Sequence, residues 1–83
     1  MSKKYTENYV NESLNIYDPG IKLFDRYYED NTICLVYEIP KKAVKYELFE
    51  YLINTMPRYE LFMNISHEII LKVWVGITPG TDY

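Results

Sequence analysis

The chain has very few of the residues that most enzyme and metal sites require. One histidine (His67), one cysteine (Cys34) and three glycines occur among 83 residues. A zinc site needs several His or Cys ligands, and a phosphate-binding loop needs clustered glycines that open a helix. The three glycines, Gly20, Gly76 and Gly80, are isolated from one another and none opens a predicted helix. The sequence therefore predicts no metal site, no catalytic residue and no cofactor.

Long apolar segments are also missing. The longest apolar stretch, Ile69 to Ile77, is interrupted by Lys72, and a membrane-spanning helix needs about 20 apolar residues. The basic start Met1 to Lys4 is followed by polar residues, whereas a secretory leader continues with an apolar segment. The lone Cys34 cannot form an internal disulfide. We therefore expect a cytoplasmic protein with no membrane partner.

Basic residues are too few and too scattered for nucleic-acid binding. Nine basic and 12 acidic residues give a net charge of −3, and only Lys41, Lys42 and Lys45 cluster. Proteins that neutralise phosphates need a concentrated basic face. The sequence predicts no direct nucleic-acid partner.

Tyrosine, in contrast, is abundant. Ten tyrosines raise the aromatic content to 17%. Residues with AT-rich codons are common throughout the chain, which indicates an AT-rich genome, but this bias would raise Lys and Asn equally. Tyrosine is enriched at protein interfaces because its ring gives a rigid contact at low entropic cost. The excess of tyrosine thus favours protein binding.

The order of patterns predicts a single α+β domain over residues 1–83. Residues 1–20 form an N-terminal arm or a short helix capped by Thr6, and residues 21–77 form the core. Alternating apolar residues predict two hairpins that flank one main helix from Lys41 to Met56. The fold is a small antiparallel sheet of three to four strands in the order ββαββ, packed on this helix, with a loose tail over residues 78–83.

The alternation also assigns the two faces of the sheet. A loop of Ser66, His67 and Glu68 would pair Ile65 with Ile69 and turn alternate residues toward the helix. The other face then holds an apolar group: Cys34, Val36, Phe62, Ile70 and Trp74. Such a patch is too apolar to face water. Either the N-terminal segment covers it, with Tyr5, Tyr9, Leu14 and Tyr17, or another chain does, and we favour the N-terminal segment.

These features predict a non-enzymatic protein-binding module. The predicted protein-binding residues are Arg26, Tyr28, Glu29, Tyr37, Phe62 and Trp74. Aromatic residues usually anchor an interface, while Arg26 and Glu29 would form a charged rim. If the N-terminal segment covers the sheet, Phe62 and Trp74 become core residues. Strand alternation turns Tyr37 toward the helix.

Small size, acidity and AT-rich coding indicate an inhibitor that a phage or mobile element encodes. Its expected partner is a host protein or protein complex, and an anti-CRISPR or other anti-defence protein is one such inhibitor. One alternative is a small enzyme or nuclease in which His67 and Glu68, with Tyr59 or Tyr46 nearby, act as acid and base. The other is a homodimeric structural protein.

Overall fold

A computed structural model describes residues 6–76 of the chain. The elements, in chain order, are α1 (Glu7–Tyr17), β1 (Lys22–Glu29), β2 (Thr32–Ile39), a 3₁₀ turn (Lys41–Ala43), α2 (Tyr46–Thr55), β3 (Arg58–Met63) and β4 (Ile69–Gly76). All neighbouring strands are antiparallel, in the spatial order β1-β2-β4-β3. The predicted α+β class with an antiparallel sheet is confirmed. Tyr5, Ile77 and the predicted tail lie outside the described residues.

Helix α1 forms where its cap and apolar spacing predict it. The Thr6 Oγ1 accepts a hydrogen bond of 3.1 Å from the Tyr9 backbone N–H, which satisfies one of the free donors of the first turn. Val10, Ser13 and Leu14 are buried on one side of the helix. Asp18 ends it, and its side chain accepts a bond from the Gly20 N–H at 2.7 Å. The described part of the N-terminal segment therefore forms a helix over Glu7–Tyr17 rather than an irregular arm.

Helix α2 begins later than the sequence predicts. The prediction of one helix from Lys41 is wrong because the chain makes a 3₁₀ turn and then returns to extended backbone at Val44 and Lys45. Regular α-helix starts at Tyr46. Neither α1 nor α2 is long and apolar enough to cross a membrane.

The second hairpin has a longer loop than predicted. Met63, not Ile65, pairs with Ile69, and Ile65 lies in the loop with its side chain 99% exposed. The Asn64 side chain accepts bonds from the backbone N–H groups of Ser66 and Glu68, both at 2.9 Å. This local bonding closes a five-residue loop. The shift is two residues, so the strand faces stay as predicted.

Both helices pack on one face of the sheet, which we call the inner face. Buried residues from α1, α2, β2 and β4 form one core there, including Val10, Leu14, Leu35, Leu52 and Leu71. The prediction that the N-terminal segment covers the opposite, outer face is therefore wrong. Because α1 lies beside α2, the domain has two layers, and among the described residues no helix or strand covers the outer face.

Candidate functional site

Strand β1 is an edge strand with an unusually exposed set of side chains. Of its eight residues, only Leu23 is partly buried. Tyr28 has 71% of its side chain exposed, and Arg26 and Glu29 are exposed beside it. Three of the predicted binding residues therefore share one exposed strand near the first hairpin tip.

A β-bulge adds an aromatic residue that the sequence pattern does not reveal. The pairing of β1 with β2 shifts between Leu23 and Asp25, which leaves Phe24 as the extra residue. Its ring is exposed. Bulges bend an edge strand and redirect its side chains, but their position depends on the partner strand. Alternation along β1 alone therefore does not identify Phe24 as a surface residue.

The tip of this hairpin is a tight two-residue connection. Glu29 pairs with Thr32, and Asp30 between them has a φ of 54°. Asp tolerates this left-handed conformation better than most residues. The Thr32 hydroxyl donates a bond of 2.6 Å to the Glu29 carbonyl oxygen. The left-handed turn at Asp30 and the hydrogen bond from Thr32 thus hold the ends of β1 and β2 in register.

Arg26 also joins the hairpin to α1. Its Nη1 lies 2.6 Å from the Glu7 Oε1, and the arginine side chain remains 56% exposed. An exposed ion pair of this kind contributes only about 0.2 to 1 kcal/mol. The pair orients the guanidinium while leaving part of it accessible to a partner.

The outer face is covered by its own long side chains. The Arg58 guanidinium carbon lies 4.6 Å from the centre of the Trp74 ring. The Lys72 ammonium lies 5.5 Å from the Phe62 ring and 5.7 Å from the Tyr27 ring. Stacked cations are attracted by aromatic faces, and their methylene stems cover apolar surface. Trp74 is consequently only 6% exposed.

The ionisable groups of the outer face are held in unreactive forms. Burial raises the pKa of the Cys34 thiol, so the nucleophilic thiolate is disfavoured at neutral pH. A hydrogen bond with Tyr27 raises the pKa of Lys72, which keeps the lysine charged. Trp74 and Phe62 therefore lie in a packed layer, and Trp74 is accessible only if Arg58 moves.

Tyr37 belongs to the core on the inner face. Its side chain is 1% exposed, and its hydroxyl donates a bond to the Asn11 Oδ1. Burial raises its pKa well above the usual value. The structure thus places the six predicted residues in three locations: the hairpin, the outer face and the core.

The predicted acid and base candidates lie in a groove at the other end of the sheet. His67 and Glu68 line it together with Glu38 and Lys41. A hydrogen bond with Glu68 raises the pKa of Glu38, and the same contact lowers the pKa of Glu68. Tyr59 lies on β3, five residues before the first residue of the loop and about 17 Å from it. Tyr59 is therefore not positioned to work with His67.

The flank of α2 is a second apolar surface. Tyr46 and Ile53 are 75% and 68% exposed, and Phe49 between them is 43% exposed. The spacing of three and four residues places them along one line of the helix. The helix pattern shows that α2 is apolar around most of its circumference, but only the packing shows which side is left uncovered. We call these three residues the α2 flank.

The described residues and the comparisons give no other functional assignment. Between residues 6 and 76, no three His, Cys, Asp or Glu side chains are grouped to hold a metal ion. Comparison of the chain with protein-family models, with curated proteins and with solved structures finds no match.

Proposed function

We propose that this chain is a non-enzymatic protein-binding domain that binds its partner through β1. The observation that supports this most is an edge strand exposed at all but one position, with three aromatic side chains. We define the hairpin surface as Phe24, Arg26, Tyr27, Tyr28 and Glu29. Tyr37 and Trp74 are left out of this surface because they are buried.

The charges around these aromatic rings favour a protein with basic residues. On or next to the strand, the exposed acidic residues Asp25, Glu29 and Asp30 outnumber the basic Lys22 and Arg26, and the chain has a net charge of −3. A phosphate backbone would be repelled. A partner with exposed Lys or Arg would be attracted, and complementary charge mainly raises the association rate.

Within this class we propose an inhibitor of a host protein, encoded by a phage or mobile element. The support is compositional: a small acidic chain and AT-rich coding. The acidic tip of this hairpin, Glu29 and Asp30, suits a basic groove in a defence protein, such as a nucleic-acid channel. An anti-CRISPR protein would act in the cytoplasm in this way.

Substitution of Tyr28 tests the proposed surface. Tagged wild-type protein, Tyr28→Ala and Ile16→Ala are used to capture partners from a lysate of the host, followed by mass spectrometry. Ile16 is an exposed apolar residue on α1 and serves as the matched control. We expect Tyr28→Ala to weaken binding by about 2 kcal/mol, which is roughly 30-fold, with an unchanged melting temperature.

The pattern of partner retention supports or contradicts the hairpin surface. A partner retained by wild type and Ile16→Ala but lost by Tyr28→Ala supports the hairpin surface. Equal retention by all three proteins, with both variants folded, contradicts it.

A further inference from the structure

Strand β3 is an open sheet edge of a different kind from β1. Within residues 6–76 it pairs only with β4, and this pairing is regular from Arg58 opposite Trp74 to Met63 opposite Ile69. Strand β1, in contrast, is interrupted by its bulge, and bulges protect an edge from pairing with other strands. The free edge of β3 therefore offers unpaired N–H and C=O groups in regular order.

The α2 flank lies on the same side of the domain as this edge. Tyr51 and Thr55, on the other side of α2, contact α1: the Tyr51 hydroxyl donates to the Ser13 carbonyl at 2.7 Å, and the Thr55 carbonyl accepts from Tyr9 at 3.0 Å. Since α1 lies over β1 and β2, the opposite side of α2 is next to β3. An apolar helix flank and an open strand edge are thus adjacent.

We propose that this combined surface binds a second copy of the chain, with β3 pairing antiparallel to β3 of the second copy about a two-fold axis. A two-fold interface uses the same patch on both copies, so the patch must be self-complementary. Residues directly opposite in an antiparallel pair share a face. If the axis passed between two residues of β3, each residue would lie opposite its own sequence neighbour, which points to the other face. The axis must therefore pass beside a single residue of β3, which then lies opposite itself in the second copy.

Registers centred on Glu60 and on Leu61 each pair five of the six residues of β3, and charge selects the one centred on Leu61. There Leu61 lies opposite Leu61 of the second copy, Tyr59 lies opposite Met63, and Glu60 lies opposite Phe62. A register centred on Glu60 would place two carboxylates directly opposite each other, which is destabilising. The Leu61 register joins the two sheets into one of eight strands, with apolar residues on its inner face.

The exposed apolar side chains supply a large part of the area that such a contact needs. An aromatic side chain buries roughly 150 to 250 Å² when it is fully covered, and a standard interface buries about 800 Å² on each partner. The α2 flank and Met63 supply four largely exposed apolar side chains, and the strand backbone adds to them. The flank itself contains no charge. A second copy matches this surface in both layers of the domain: its α2 flank faces the α2 flank, and its β3 edge pairs with the β3 edge.

The dimer is independent of the proposed hairpin surface. Strand β1 is at the opposite edge of the sheet from β3, so both hairpin surfaces stay exposed after pairing.

Sedimentation equilibrium of the full chain tests the association. We expect micromolar wild-type protein to approach twice the 10.0 kDa chain mass. Ile53→Glu places a carboxylate on the α2 flank and should give monomers, whereas Ile16→Glu, on exposed α1 surface, should stay dimeric. Melting temperatures at low concentration verify that both variants fold.

Disulfide trapping tests the register separately. In the Leu61 register the two central Cα atoms are about 4.5 to 5.5 Å apart, within the span of a disulfide. Leu61→Cys should therefore oxidise to a covalent dimer. In Glu60→Cys the two cysteines are displaced by two residues, about 7 Å along the strand, and should not link.

Several results would overturn the proposal. Wild-type protein that stays monomeric, or an Ile53→Glu protein that dimerises as wild type does, rules out this surface. Efficient linking of Glu60→Cys without linking of Leu61→Cys rules out the register. A different protein captured through Ile53 by a monomeric chain would show that the occupant is not a second copy.

Discussion

Four tyrosine hydroxyls attach α1 to the rest of the molecule. Tyr9 donates to the Thr55 carbonyl, Tyr17 to the Ala43 carbonyl at 3.4 Å, and Tyr51 to the Ser13 carbonyl. Tyr37 reaches Asn11 on α1. Each ring fills apolar space while its hydroxyl satisfies a polar group. Much of the tyrosine excess is therefore structural, and the proposed interface role is restricted to exposed tyrosines such as Tyr28.

For individual residues, the sequence predicts which face of the sheet a side chain lies on better than it predicts whether that side chain is accessible to a partner. Strand alternation correctly turns Tyr37 and Leu71 toward the helices. It does not reveal that Arg58 covers Trp74, because the longer loop shifts the pairing by two residues and so places Arg58 opposite Trp74. The sequence alone therefore suggests Trp74 as a binding anchor, and only its neighbours on β3 show that its ring is covered.

The pair of Glu38 and Glu68 gives a prediction about pH. The raised pKa of Glu38 means that its protonated form stabilises the folded state at low pH. This contribution is lost as the pH rises from the ordinary glutamate value, about 4.3, through the raised value. As the pH rises further, both carboxylates become ionised and repel each other.

Glu38→Gln should remove this repulsion. The amide still donates to Glu68, so we expect a higher melting temperature at pH 7 and a smaller difference at about pH 4. Thermal melts across this range measure the effect. Glu12→Gln, on the exposed side of α1, is the control, and an equal gain in that variant would assign the effect to net charge.

Helix α1 and the first hairpin follow from local chemistry. Thr6, the apolar spacing and the stop at Asp18 define α1, and the Glu29 to Thr32 turn defines the hairpin. The start of α2 does not follow in this way. Lys45 makes no side-chain capping bond, and the 3₁₀ turn before it buries Ala43 against the core. Packing at long range, which no local pattern encodes, decides where this helix begins.

The cap of α1 provides a test at the scale of one element. Thr6→Ala removes the acceptor for the Tyr9 N–H and should lower the free energy of unfolding by about 1 kcal/mol. Urea denaturation measures it. Thr6→Ser keeps the hydroxyl and should cost much less; equal losses in both variants would argue against a capping role.

At the scale of the whole molecule, stability depends on one small core. An 83-residue domain has a free energy of unfolding on the order of 4 to 12 kcal/mol. Leu52 is fully buried among residues of both layers. Leu52→Ala should therefore cost about 2 to 5 kcal/mol, a large part of the total.

Chemical denaturation of Leu52→Ala measures this loss. Ile16→Ala, at an exposed position, should change the free energy of unfolding by less than about 0.5 kcal/mol. A small loss in Leu52→Ala would mean that α2 can repack without this side chain.

The proposed dimer would give the molecule two hairpin surfaces at the far ends of one sheet. A partner with two copies of the binding site would then be held by both, and its apparent affinity would rise without any new contact. The same chain as a monomer would bind one site at a time.

The covering of Trp74 by Arg58 also gives the protein a built-in optical signal. Trp74 is the only tryptophan in the chain, and its Nε1 has no hydrogen-bond acceptor among the described residues. An indole shielded from water emits at shorter wavelength than a solvated one. The emission wavelength of Trp74 can therefore report the separation of β3 from β4 in unlabelled protein.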